Sequence, residues 1–143
     1  MNEIYHFALK VLQRRDYTEK QLREKLENKF GDVSPEVFSL LRTKRFLDDR
    51  RFAENFVAKH ADSHPERVKE MLAEAGIQAE TIHAAVSTAN WPSLRDVLKA
   101  KMADWRFHAP LERRDAARLF RALSRLGYSE DEIREELEQF HEQ

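Results

Sequence analysis

Apolar residues recur at helical spacing along almost the whole chain. Tyr5, Ala8, Leu9 and Leu12 follow the i, i+3, i+4, i+7 rhythm that puts them on one helix face, and Leu94, Val97, Leu98, Met102 and Trp105 form a second stripe of the same kind. No stretch keeps the alternation of a half-buried strand, and neither Asn-Gly nor Asp-Gly occurs to turn a hairpin. Start signals divide the helical pattern. Thr18 with Gln21 and Ser129 with Glu132 match a capping box, in which a hydroxyl and a side chain three residues later satisfy backbone donors at a helix start. Ser34 before Pro35 and His64 before Pro65 suit a first turn that tolerates proline. The pattern predicts helices over 3–15, 18–30, 34–45, 49–62, 65–75, 79–89, 92–107, 111–126 and 129–141.

The three glycines show how these helices are grouped. Six residues after Gly31, Gly76 and Gly127 come Val37, Ile82 and Ile133, and four further on come Leu41, Val86 and Leu137. Upstream, Val68 and Leu72 precede Gly76 as Leu119 and Leu123 precede Gly127; Leu22 and Leu26 precede Gly31 with one extra residue. Glycine suits a helix end that closes in the left-handed region, where a Cβ is strained. Steps of 45 and 51 residues between the glycines are typical of helical repeat arrays. The expectation is an all-α protein made of three tandem three-helix repeats, over 1–47, 48–90 and 91–143. Such an array is expected to be elongated and curved, with long faces suited to an extended partner.

Composition narrows the function. The 143 residues suffice for one ordinary domain or a short repeat array. No apolar run exceeds three residues, so neither a membrane-spanning helix nor a signal-peptide core is expected, and a cytoplasmic protein is. The absence of cysteine excludes disulfides, thiolate metal sites, iron–sulfur clusters and Cys nucleophiles. No phosphate-binding glycine loop and no GxSxG elbow is present, so neither an enzyme nor a cofactor is expected.

A formal net charge of −1 hides an uneven distribution: residues 92–127 carry nine basic and four acidic groups, and residues 128–143 carry one and seven. Within the basic stretch, Arg114, Arg118, Arg121 and Arg125 are spaced 4, 3 and 4, one stripe of a helix whose other face carries Leu119, Phe120, Leu123 and Leu126. Guanidiniums so placed can read phosphates or carboxylates, unless the acidic tail, including Glu132, Glu135 and Glu136, compensates them. A second cluster, Arg14, Arg15, Lys20, Arg23 and Lys25, surrounds Tyr17, which either stacks on a partner or packs in the turn before Thr18. Asp48 and Asp49 stand at a helix start, where carboxylates accept backbone donors, and this reading outweighs a metal or catalytic pair. Arg50 and Arg51 follow and can contact a partner. His60 and His64 have zinc-ligand spacing but lack the glutamate of HExxH, so no metal site is expected. Trp91 and Trp105 read as core at the repeat junctions.

Two segments, RRDYTEKQLREKL (Arg14 to Leu26) and FLDDRRFAENFV (Phe46 to Val57), resemble the signature of the RecX family of bacterial recombination regulators. VKEMLAEAGI (Val68 to Ile77) and FRALSRLGYSEDEIREEL (Phe120 to Leu137) extend the likeness over nearly the whole chain. It is looser at ADSHPERVKEML, where Asp62, His64 and Pro65 stand in place of glycine and further basic residues. The resemblance implies tandem three-helix repeats that bind the RecA recombinase and inhibit the ATPase, strand-exchange and coprotease activities of its filament on DNA. It also implies weak contact with single- or double-stranded DNA, mainly within the filament, by a monomer. The basic residues named above are then the expected RecA or DNA contacts. A RecA-independent helical DNA-binding module and a general interaction scaffold are the alternatives.

Overall fold

The computed structural model describes residues 2–141. Among them all regular structure is helical: α1 (Asn2–Arg14), α2 (Glu19–Phe30), α3 (Pro35–Thr43), α4 (Asp49–Lys59), α5 (Pro65–Glu74), α6 (Ala79–Ser87), α7 (Leu94–Trp105), α8 (Arg113–Arg125) and α9 (Glu130–His141). These are the elements expected from the periodicity; α1 is shifted one residue towards the N-terminus and the other eight have shorter ends. Helix α7 begins at Leu94 and not at residue 92, because Ser93 is its cap: Oγ accepts from the Asp96 N–H at 3.1 Å. Helix α4 stops at Lys59, before a turn in which the Ser63 N–H donates to the His60 carbonyl at 3.0 Å. The capping box at Thr18 forms in full, with the Gln21 N–H to Thr18 Oγ1 and the Thr18 N–H to Gln21 Oε1, both at 3.1 Å. At Ser129 the hydroxyl accepts from the Glu132 N–H and donates to that residue's own carboxylate.

The chain divides into two compact units, Met1–Lys59 with Lys69–Ala89, and His60–Val68 with Asn90–Gln143. In the first, α1 packs on α2 and α4 on α6. Its core holds Ala8, Val11, Leu22, Leu26, Val37, Phe38, Leu41 and Leu47. In the second, α7, α8 and α9 pack on one another around Val97, Leu98, Met102, Leu119, Leu123, Ile133 and Leu137. Fully burying an aliphatic side chain of this size stabilises a fold by about 1.5–3 kcal/mol, and Leu22, Leu26, Leu98, Leu119 and Leu123 are all at 0% exposure.

Four helices end in one hydrogen-bonding pattern, in which an N–H reaches back five residues: Phe46 to Leu41, Ile77 to Leu72, Phe107 to Met102 and Tyr128 to Leu123, at 2.8–3.3 Å. This is the Schellman closure, and the residue before each donor must take positive φ. Glycine supplies it at Gly76 (φ 91°) and Gly127 (φ 99°), whereas arginine supplies it at Arg45 (φ 62°) and Arg106 (φ 59°). Gly31 is different. With φ 77° and ψ −143° it caps α2 through one bond to the Glu27 carbonyl, so the three glycines do not all hold one equivalent position. The extra residue upstream of Gly31 is the sequence correlate of that difference.

Gly76 and Gly127 are also places where backbone meets a neighbouring helix. A Cβ on Gly76 would lie 2.5 Å from Lys20 Cβ, and one on Gly127 would lie 2.7 Å from Arg67 Cβ. Beside each glycine the preceding carbonyl is gripped by the cap of the helix that covers it. Thr18 Oγ1–H donates to the Ala75 carbonyl, and the His64 N–H donates to the Leu126 carbonyl at 2.8 Å. Thr18 is wholly buried, so this second use of its hydroxyl leaves no polar atom stranded. One joint, a helix cap against a glycine turn, is thus built once in each unit.

Candidate interaction surfaces

Helix α8 is the most sharply two-sided element. Ala116, Leu119 and Leu123 enter the core, while Arg114, Arg118, Arg121 and Arg125 are exposed on the other side. Arg118 lies over the Trp105 ring, with Cζ 4.4 Å from its centroid. Arg114, Arg121 and Arg125 form no ion pair among the described residues. No carboxylate of the acidic helix α9 pairs with them among the described residues: Glu135 and Glu138 form no ion pair, and the other four are engaged elsewhere. Glu136 pairs with Arg95 at 3.0 Å, Glu130 and Asp131 pair with Arg134, and Glu132 holds Ser129. Arg114 sits in the first turn, where the helix dipole disfavours a cation by about 0.3–1 kcal/mol. Packing gives no return for that cost, since the guanidinium lies in solvent.

The cluster around the α1–α2 turn is built otherwise. Arg15 stacks on Tyr17 with Cζ 3.9 Å from the ring centroid, and Lys25 Nζ lies 5.7 Å from it. The hydrogen bond from Arg15 lowers the Tyr17 phenol below its ordinary pKa, against burial acting the other way. Tyr17 also packs against the core, so the turn-packing reading describes its ring. Arg23 lies 4.3 Å over Phe38 and pairs with Glu19 at 3.5 Å, and the stem of Lys20 covers Gly76. Arg50 pairs with Glu54 at 3.2 Å, and Arg51 Nη1 donates to the Arg45 carbonyl. Of this group Arg23 and Arg50 form ion pairs among the described residues, and exposed Arg14 has neither an ion pair nor a ring beneath it.

Asp48 caps its own helix by accepting from the Arg51 N–H at 3.0 Å. Asp49 reaches to a different helix and accepts from the Glu19 N–H at the start of α2, at 2.9 Å. Burial raises its pKa, partly offset by that hydrogen bond. The pair lines a groove of 740 Å³ with Glu19, Arg42, Arg45 and Gln78. Glu19 answers Arg42 there as well as Arg23. No group of three potential metal ligands occurs among the described residues. His64 is a capping residue, its Nδ1 accepting from the Glu66 N–H at 3.0 Å while its ring meets Tyr128 edge-on. Sequence reasoning missed Trp105 as the platform for Arg118, although Trp105 and Arg118 both lay in stripes it had drawn. No described helix is long and apolar enough to cross a membrane.

No family model matches the chain. Curated relatives do. It is 30% identical over 132 residues to the regulatory protein RecX of Halorhodospira halophila, covering 89% of this chain and 81% of that one. It is 33% identical over 135 residues to that of Pseudomonas fluorescens strain Pf-5, covering 88% and 84%. The chain belongs to the RecX family. Among solved structures, RecX from Lactobacillus salivarius matches with a TM-score of 0.65 and 20% identity, covering 96% of both chains. This likeness shows that the all-helical path, including the α8 and α9 segment, is a RecX fold.

Proposed function

We propose that this RecX-family protein is a non-enzymatic regulator of the RecA recombinase. It binds the RecA filament on DNA and inhibits its ATPase, strand-exchange and coprotease activities. The reading is supported by family membership together with one structural observation: Arg114, Arg121 and Arg125 of α8 form no ion pair among the described residues. A stripe of unpaired guanidiniums is suited to carboxylates on a protein surface or to phosphates of the bound strand. In this reading the protein lies in the filament's helical groove across more than one protomer, and blocks the motions between protomers that ATP turnover requires. It acts in the cytoplasm as a monomer, without cofactor. The joint at Thr18 and Ala75, repeated at His64 and Leu126, supports a division into repeats 1–47, 48–90 and 91–143.

The test is the single-stranded-DNA-dependent ATPase of the cognate RecA, titrated with wild type and with the Arg114→Glu, Arg121→Glu, Arg125→Glu triple variant. Inhibition by wild type that weakens in the variant supports the reading and its surface. ATPase indifferent to a molar excess of wild type sinks it. The same free arginines favour one alternative, a DNA-binding module that acts without RecA. That alternative predicts affinity for bare DNA falling steeply with salt, with a shallower slope in the triple variant.

A further inference from the structure

Four arginines lie over aromatic rings among the described residues, and three of them also commit their N–H groups inside the chain. Arg15 hydrogen-bonds the Tyr17 on which it stacks, Arg23 over Phe38 pairs with Glu19, and Arg134 over Phe120 pairs with Glu130 and Asp131. Arg118 differs from these three. Its Cζ lies 4.4 Å from the Trp105 ring centroid and 5.8 Å from that of Phe107, yet it forms neither a hydrogen bond nor an ion pair among the described residues. Stacking occupies the face of a guanidinium and hydrogen bonding its edge, so a stacked arginine can still grip an oxyanion with two parallel N–H groups.

The platform is fixed by the way α7 ends. Trp105 is its last residue, the left-handed Arg106 reverses the chain, and the Phe107 N–H closes on the Met102 carbonyl at 2.8 Å. The Phe107 ring then stands edge-on to Trp105 at 5.6 Å, and both rings pack half-buried against the core of α7, α8 and α9. Lys101 also lies 5.6 Å from the Trp105 centroid, but its ammonium pairs with Asp62 at 3.8 Å. Arg118 is thus the member of the α8 stripe that rings hold in place, and it loses less side-chain freedom when a partner binds.

The stripe favours one kind of partner. Arginines spaced 4, 3 and 4 residues apart fall within about 60° of the helix circumference and along about 16 Å of its axis. From Glu112 to Arg125 there are five cations and two carboxylates, and neither Glu112 nor Asp115 pairs with Arg118. A regular row of donors answers a chain with one charge on every unit, as in the phosphates of a nucleic-acid strand, better than the scattered carboxylates of a folded protein. We propose that Trp105 is a positioning residue, whose ring holds Arg118 in the middle of the stripe so that its N–H edge grips a phosphate of the strand. This rests on the reading above, in which DNA lies within the filament.

The test is the affinity of the full chain for a labelled oligo-dT strand, followed by fluorescence anisotropy over a series of salt concentrations. Arg118→Gln should weaken binding about tenfold and make the salt slope shallower by about 0.7, the value of one phosphate contact on a single strand. Trp105→Leu should do the same with every cation retained, the double variant should be no worse than either single one, and Trp105→Phe should restore most of the affinity. A Trp105 that only supports the fold would lower the melting temperature of Trp105→Leu and leave the salt slope as it is. Should Trp105→Leu melt below the assay temperature, Arg118→Lys decides: it keeps the charge, gives up the flat stack, and should lose most of what Arg118→Gln loses. The proposal is overturned if wild type shows no salt-dependent affinity for the strand, if Trp105→Leu keeps the wild-type slope, if the two single losses multiply in the double variant, or if Arg118→Lys binds as wild type does. Because RecA is absent, these outcomes leave the ATPase test standing, and an ATPase indifferent to wild type leaves them standing in turn.

Discussion

The α1–α2 turn and helix α8 both present clusters of basic residues, and their fates differ. Around the turn all but exposed Arg14 meet another part of the fold: Arg15 and Lys25 lie by Tyr17, Arg23 by Phe38 and Glu19, and Lys20 over Gly76. On α8, Arg118 is stacked on Trp105, whereas Arg114, Arg121 and Arg125 form no ion pair among the described residues. Long cationic stems readily cover apolar surface, so a basic cluster in sequence is as apt to be packing as recognition. What separates the two is whether a ring, a glycine or a carboxylate from elsewhere in the chain arrives beside the charge.

The largest effect should come from reversing the free charges. If each of the three α8 guanidiniums makes a charge-assisted bond worth about 1.5–3 kcal/mol to a partner, the triple Glu variant should lose RecA binding by a hundredfold or more in an anisotropy titration. Arg23→Ala should change that affinity less than twofold and instead lower stability in urea. Equal losses in affinity from the two would break the distinction between spent and free cations.

The glycine turns sharpen the same contrast. Gly127→Ala must adopt positive φ and also push Arg67 aside, so it should cost about 2 kcal/mol or more. At Gly31 a Cβ meets nothing within 4 Å, but φ 77° with ψ −143° is a backbone conformation nearly confined to glycine, so Gly31→Ala should cost about 1–3 kcal/mol from backbone strain alone. Denaturant midpoints measure both, and a Gly31→Ala variant as stable as wild type would contradict the strain. Smaller again is Arg118→Ala, which gives up a cation–π contact of about 0.5–1 kcal/mol; it should destabilise measurably and alter Trp fluorescence, while Arg121→Ala should do neither.

Two titrations complete the series. The Asp49 carboxyl has a raised pKa in the folded chain, mainly through burial, so the native state holds that proton more tightly than the unfolded one. Its contribution to stability is therefore best below the ordinary Asp pKa and declines as pH rises through the raised folded value. Asp49→Asn keeps an acceptor for the Glu19 N–H and should flatten that part of the stability–pH curve. The smallest signal concerns Tyr17, whose phenol is lowered chiefly by Arg15. Ultraviolet titration of wild type should show an early phenolate component that Tyr17→Phe deletes and Arg15→Ala moves to higher pH, whereas Tyr128, raised by burial, ionises late.

The elements were legible because their causes are local. Helical periodicity, the Thr18 capping box, Ser34 before Pro35 and the positive-φ glycines at 76 and 127 each act within a few residues, so spacing alone located them. Arg45 and Arg106 in left-handed conformation gave no such sign, since arginine has no preference for it and only the closing bonds of α3 and α7 impose it. The α8 stripe was legible as a stripe, but its freedom was not, because that depended on where α9 places its carboxylates, four of which go to Arg95, Arg134 and Ser129 and none to the stripe.

By itself, then, the sequence determined the helical class, the helix order, the core-facing residues and the family likeness, all set by short-range periodicity and caps. Tertiary structure decided which charges remain available, that Asp49 caps α2 and not its own helix, and that Phe46 stays in solvent while its three counterparts do not. Each of these depends on which residues from segments tens of positions apart come within a few ångströms, and no local pattern encodes that distance.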